Sequence, residues 1–207
     1  MKLDKFLFFL TSTVMLGSLL GLITGAFNIL MNVSWYSGVI EGGVLGTNCL
    51  MGFWAFLMLN FTVSVSLPQR VWKWAQILVL SLVIYDMFYW RYHYAVLVSP
   101  ANHQSLVSYT WQALVPLVVA ILTGMVKQRL SGKGSFLPTL FFVYVFTALD
   151  SMLVLRLHAS SVINQTGIIM LLCNVYMILI FGLLLKASNH ESNSVQAPRA
   201  HHGRLES

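Results

Sequence analysis

Long apolar stretches, separated by short polar segments, set the pattern of this chain. Each is close to the roughly 20 apolar residues that an α-helix needs to cross the hydrocarbon core of a bilayer. The pattern predicts an all-α, polytopic helix bundle in the cell membrane with six transmembrane helices. The predicted spans are Phe6–Met31, Val44–Ser66, Trp74–Tyr92, Ser105–Val126, Phe136–Leu155 and Val162–Leu185.

The polar segments between these stretches are short, and no linker divides the chain. Residues 32–43 hold polar side chains and two aromatic ones, which predicts a loop at the membrane interface. From Lys186 onward the chain has few apolar residues and cannot offset the entropy cost of ordering. We therefore expect a six-span membrane domain over residues 1–186 and a flexible cytoplasmic tail over residues 187–207.

Composition supports a membrane protein, because 57% of the residues are hydrophobic and only 9% are charged. Soluble domains carry about 25% charged residues. The net charge of +6 would raise the question of nucleic acid in a soluble protein. Here the charges lie between spans, so they report orientation, and the expected surroundings are the lipid bilayer and no nucleic acid.

The basic residues fall mostly on one side of the predicted membrane. With six spans both termini share a side, and every lysine and arginine except Arg91 and Arg156 lies on it. Because cytoplasmic loops are enriched in these residues, both termini are predicted to be cytoplasmic.

Three glycines in the first span form a stripe, since Gly17, Gly21 and Gly25 are four residues apart. Such a stripe lets another helix approach closely. Packing within the bundle is the simplest interpretation. A contact with a second copy is the bolder one, so a homo-oligomer stays open.

Two aspartates inside apolar stretches are the main candidates for function. Asp86 and Asp150 each lie about 20 Å along their helices from the cytoplasmic end, at 1.5 Å per residue. Both are therefore predicted in the outer half of the membrane, where acids are rare and often functional. Each is followed by an arginine and a histidine, and the candidate polar cluster is Asp86, Arg91, His93, Asp150, Arg156, His158 and Glu41.

A structural interpretation is that each aspartate pairs with an arginine or a tyrosine of a neighbouring helix. Asp86 and Arg91 are five residues apart on one helix and do not share a face. Pairing of Asp86 with Arg156 has better geometry if their helices are neighbours.

Two chemical interpretations remain open: an intramembrane enzyme or metal site, and a carrier or sensor of protons or small solutes that uses Asp86 and Asp150. The sequence lacks the H-E-x-x-H, G-x-S-x-G and C-x-x-C motifs. No catalytic residue, metal or cofactor is therefore expected. Cys49 and Cys173 fit small buried hydrophobic residues.

Polar side chains also occur inside the second and sixth spans. Asn48, Asn60 and Thr62 are predicted to form hydrogen bonds between helices, and Asn174 lies in the middle of the sixth span.

Several apolar motifs resemble a known family. They are MGFWAFL at residues 51–57, VIYDMFYWRY at 83–92, FLPTLFF at 136–142 and CNVY at 173–176. Together with the length and the six spans, they resemble the KinB-signalling pathway activation protein family, KbaA, over residues 1 to about 186.

This resemblance implies a multi-pass membrane protein of endospore-forming bacteria that acts in signal transduction toward sporulation. Its expected role is an accessory one without catalysis: kinase activation through a sensor histidine kinase in the membrane, of the KinB type. The resemblance supplies no catalytic residues, so the roles of Asp86 and Asp150 rest on the residue pattern alone.

Overall fold

The computed structural model describes residues 3–26, 35–98, 106–150 and 163–196, and the regular structure there is helical. Two helices contain a short π-helical segment, at Asp86–Trp90 between α3 and α4 and at Phe142–Phe146 after α6. The helix that contains the second segment continues to Asp150. The helices are α1 (Leu3–Ala26), α2 (Trp35–Ser66), α3 (Gln69–Tyr85), α4 (Arg91–Val98), α5 (Leu106–Ser131), α6 (Phe136–Phe141) and α7 (Ile163–Gln196).

Five of the described helices are long and apolar enough to cross a membrane. The helix of the predicted fifth span, Phe136–Asp150, is apolar but shorter, and residues 151–162 lie outside the described part of the chain. The all-helical class is thus confirmed for the described residues. Six spans and cytoplasmic termini stay predictions.

α6 and its π-helical segment form the centre of the bundle. Seven consecutive side chains, from Thr139 to Val145, are buried. They pack against α2, α3, α5 and α7. A helix that is apolar on all sides is expected in such a place, because no side of it faces a polar solvent.

Phenylalanine rings join this central helix to its neighbours. Phe53 of α2 lies 5.4 Å from Phe142 and 5.1 Å from Phe181 of α7, between ring centroids. Phe9 of α1 adds a fourth ring, 5.5 Å from Phe53. These tilted and edge-on pairs are the favoured aromatic geometry, and they hold four helices together.

α1 and α2 pack through glycines on both helices. A Cβ atom at Gly21 would lie 3.0 Å from Cα of Gly42, and one at Gly17 would lie 3.1 Å from Cα of Gly46. Gly38 belongs to the same contact, since a Cβ there would lie 2.5 Å from the Gly21 carbonyl oxygen. The prediction of a loop over residues 32–43 is therefore wrong from Trp35 onward, because helical glycines there meet those of α1.

A buried glutamine in α3 gives a stability prediction. Gln76 has no exposed surface, and neither its amide nitrogen nor its oxygen has a hydrogen-bond partner within the described chain. A buried amide without partners costs about 1–3 kcal/mol. Gln76→Leu is expected to raise the free energy of unfolding by about 1–2 kcal/mol. Thermal unfolding of the purified protein in detergent measures this, and a lower midpoint than wild type would contradict it.

Candidate functional site

Asp150, at the end of the central helix, carries a buried carboxylate. Its side chain is 6% exposed. The Asn48 amide of α2 donates a hydrogen bond to one carboxylate oxygen over 3.2 Å, and the Cys49 thiol lies 4.0 Å from the other. Asp150 thus connects α2 to the central helix.

A second polar contact lies one turn before Asp150. The Asn174 amide donates a hydrogen bond to the Thr147 hydroxyl over 3.1 Å, and both side chains are buried. In an apolar surrounding such groups need partners, since an unpaired polar group costs several kcal/mol. We call the Asp150 cluster the residues Asn48, Cys49, Thr147, Asp150, Cys173 and Asn174.

Both cysteines of the chain belong to this cluster. Cys49 and Cys173 are free, without exposed surface, and in contact through their side chains. Cys49 also lies 3.8 Å from the Met170 carbonyl oxygen. Their complete burial matches the prediction of small hydrophobic residues.

The partners of Asp150 in the described chain are a neutral amide and a thiol. Such partners satisfy the hydrogen-bonding capacity of the carboxylate without supplying a counter-charge. Nor does any group of three or more His, Cys, Asp or Glu side chains suitable for a metal ion occur among the described residues. The arrangement can hold three helices in one register.

Asp86 lies in different surroundings from Asp150. It is the first residue of the π-helical segment Asp86–Trp90 and is half-buried. None of the described partners of Asp150 comes from α3 or α4. The two aspartates look alike in the sequence, but within the described part of the chain only Asp150 of the two has a buried side chain that accepts a hydrogen bond from a neighbouring helix.

An exposed aromatic stack follows Asp86 along the helix. The Tyr89 ring stacks on Tyr85 at 5.4 Å and on His93 at 5.7 Å, between ring centroids. Side chains of this kind are typical of the membrane interface. His93 is exposed and lies on the surface of its helix.

The remaining predicted polar residues add little to this site. Glu41 is exposed on α2. Arg91 begins α4, but its side chain lies outside the described structure, as do Arg156 and His158 entirely. The proposed pair of Asp86 with Arg156 is therefore outside the described residues.

Sequence reasoning missed a buried cation. Lys127 follows directly after the predicted fourth span, Ser105–Val126, yet it lies inside α5, where it is 8% exposed and donates a hydrogen bond to the Ile178 carbonyl of α7. Gly182, one turn further on α7, leaves the space for its side chain. The sequence did contain a signal that the helix continues past Lys127, because helix-forming residues follow this lysine.

Two predicted interhelical hydrogen bonds are confirmed. Asn48 bonds to Asp150, as above. The Trp72 indole of α3 donates a hydrogen bond to the side-chain Oδ1 of Asn60 in α2 over 2.9 Å. Thr62 is exposed.

The chain is similar to known proteins over most of its length. The KbaA family model, described as KinB-signalling pathway activation in sporulation, matches residues 7–184. A similar protein is the KinB-signaling pathway activation protein of Bacillus subtilis (strain 168), which is 27% identical over 146 residues, 70% of this chain and 71% of the relative. No solved structure matches.

The match begins in α1 and ends in α7, so it includes every residue of the Asp150 cluster. It covers most of the chain, and on that ground the chain belongs to the KbaA family of KinB-signalling pathway activation proteins.

Proposed function

We propose that this protein is a membrane accessory protein that promotes signalling by a KinB-type sensor kinase toward sporulation, through contact between helices inside the bilayer. The observation that carries the proposal is the family match over residues 7–184, which spans all helices of the bundle. The apolar helices support a multi-pass location in the cell membrane, where a sensor histidine kinase also has its transmembrane helices.

The Asp150 cluster gives this role a structural basis. A binding surface made by several helices keeps its shape only if their register is fixed. The hydrogen bond of Asp150 with Asn48 of α2 and that of Thr147 with Asn174 of α7 fix the register of the central helix against both neighbours. Polar bonds between helices are an effective way to do so in lipid, where there is no hydrophobic driving force between apolar helices.

In this proposal the glycine stripe of α1 does not contact the kinase. Gly17 and Gly21 are covered by α2, so a kinase helix cannot reach them without separating α1 from α2. Their role in the proposal is to hold the α1–α2 pair together. Contact with the kinase is assigned to the apolar outer surface of the bundle.

The alternative of an intramembrane enzyme or carrier needs carboxylates that reach a substrate. Asp150 is 6% exposed and surrounded by neutral donors. This burial supports a structural role over chemistry at an open site.

Site-specific photo-crosslinking in membranes tests the contact with the kinase. A photoreactive amino acid replaces an exposed residue of each helix in turn, such as Met15 of α1 or Leu78 of α3, and the kinase carries an epitope tag. Crosslinks to KinB from one outer face, and none from the buried control Ile169, are expected. Absence of crosslinks from every exposed face, with the protein present in the membrane, would contradict direct contact.

A further inference from the structure

A buried lysine lies in the contact between α5 and α7. Lys127 is 8% exposed, and its ammonium group donates a hydrogen bond to the Ile178 carbonyl oxygen. Gly182 leaves room for the side chain, since a Cβ atom there would lie 2.9 Å from Cε of Lys127. An ammonium group has three donor hydrogens, so one backbone carbonyl leaves two of them for further partners.

No acidic side chain balances this charge within the described part of the chain. Lys127 forms no ion pair there. Asp150 lies at the level of Met170, because both contact Cys49. Met170 is twelve residues before Gly182, which is about 18 Å along α7. A buried charge without a counter-charge is costly, so Lys127 calls for an anion from outside the described chain.

The ammonium group of Lys127 lies near the ends of two apolar helices. The candidate membrane spans end at Ser131 in α5 and at Leu184 in α7. Gly182, beside the ammonium group, is two residues before the second of these ends, or about 3 Å along the helix. At such a depth the hydrocarbon core meets the headgroup region, so the phosphate of a lipid can reach the ammonium group.

A second lysine extends this positive charge along α7. Lys186 is exposed and follows Gly182 by four residues, so the two lie on one face of the helix. It lies beyond the end of the apolar span, on the predicted cytoplasmic side. Basic residues between transmembrane helices on that side are typical of sites for anionic lipid headgroups.

We propose that Lys127 and Lys186 bind the phosphate of an anionic phospholipid at the contact between α5 and α7. Lys127 supplies a desolvated charge at the edge of the hydrocarbon core, and Lys186 supplies a solvated one beyond it. A lipid phosphate is favoured over free phosphate, because the acyl chains already hold it at this depth. The site requires the proposed membrane location but no kinase.

Native mass spectrometry of the purified full-length chain measures this binding. The protein receives either phosphatidylglycerol or phosphatidylcholine with the same acyl chains, which carries no net charge. Phosphatidylglycerol is expected to be retained about fivefold more, since one basic residue near the membrane surface contributes this much to the binding of anionic lipid.

Two lysine variants locate the site. Lys127→Met keeps the length of the side chain without its charge, and is expected to lower the retention of phosphatidylglycerol to that of phosphatidylcholine. Lys73→Met is the matched control, because Lys73 is an exposed lysine of α3 on the same predicted side, and it should change little. Equal retention by wild type and Lys127→Met would overturn the site, and so would an equal loss in Lys73→Met.

Acetylation of the unaltered protein decides the matter if Lys127→Met does not fold. Lys186 and Lys73 are both exposed, so both react with an N-hydroxysuccinimide ester. The rate at Lys186 relative to Lys73 is expected to be about fivefold lower in nanodiscs of phosphatidylglycerol than in nanodiscs of phosphatidylcholine.

Two results of this labelling would contradict the lipid site. An equal ratio of rates in both kinds of nanodisc would overturn it. The same fall of the ratio on addition of inorganic phosphate to phosphatidylcholine nanodiscs would assign the lysines to free phosphate instead. Neither measurement involves the kinase, so failure here leaves the proposed function standing, and a missing kinase contact leaves the lipid site standing.

Discussion

Asp150→Leu is expected to lower the free energy of unfolding by about 3 kcal/mol and to reduce the amount of protein in the membrane. The substitution removes the acceptor of the Asn48 amide and of the Cys49 thiol and leaves these buried donors without that partner, at about 1–3 kcal/mol for each group. A loss of this size is a large part of the stability of an ordinary domain. Chemical unfolding in detergent and a blot of the membrane fraction measure the two effects.

Two further variants separate a structural role of Asp150 from a chemical one. Asp150→Asn keeps an acceptor oxygen for Asn48, so a loss of about 1 kcal/mol is expected. Asp86→Asn is the matched control, because Asp86 is half-buried and outside the Asp150 cluster, and its effect should stay below about 0.5 kcal/mol. Asp150→Asn at full membrane level but without any signalling would contradict the structural role and favour the enzyme or carrier.

Gly21→Ala is expected to destabilise the protein by about 2–3 kcal/mol, because the added methyl group overlaps the backbone of α2. A Cβ atom there would lie 3.0 Å from both the Gly38 carbonyl carbon and Cα of Gly42. Backbone atoms cannot rotate away as a side chain can, so α1 and α2 must separate. The midpoint of thermal unfolding in detergent measures the loss.

Gly167→Ala in α7 is the matched control for this substitution. Gly167 is also helical, but a Cβ atom there meets nothing within 4 Å. Alanine has the higher helix propensity, so this variant is expected to gain up to about 1 kcal/mol. Equal effects of the two substitutions would show that the α1–α2 glycine contact does not matter for stability.

Most helices could be predicted from the sequence because apolar length is a strong signal in membrane proteins. The error at residues 32–43 has a physical cause. Glycine and polar residues suggested a loop, yet Gly38 and Gly42 are helical because they pack against Gly21 and Gly17. Local composition cannot reveal such a contact, since it depends on which helix lies opposite.

Individual residues of the Asp150 cluster could be predicted from the sequence, but their contacts with one another could not. Asp150, Asn48 and Asn174 each stand out in the sequence as polar residues within apolar stretches. Burying a polar side chain in the membrane costs free energy, so such residues point to a specific role. Their pairing was missed because an arginine or a tyrosine of a neighbouring helix was expected as the partner of the carboxylate. Among the described residues, the Asn48 amide of α2 donates a hydrogen bond to it.

The π-helical segments had no visible signal in the sequence. The residues of Phe142–Phe146 have the pattern of an ordinary apolar helix, and in the structure the segment contacts α2, α3, α5 and α7. The four-residue spacing of Phe142, Phe146 and Asp150 becomes informative only when α2 is known to be their common neighbour.

Spore formation tests the central claim most directly. The chain would be expressed in a Bacillus subtilis strain that lacks its KinB-signaling pathway activation protein, and heat-resistant spores counted with KinB present and with KinB deleted. The account predicts that the chain restores spores only where KinB is present. No restoration despite a normal amount of protein in the membrane, or restoration that does not depend on KinB, would contradict it.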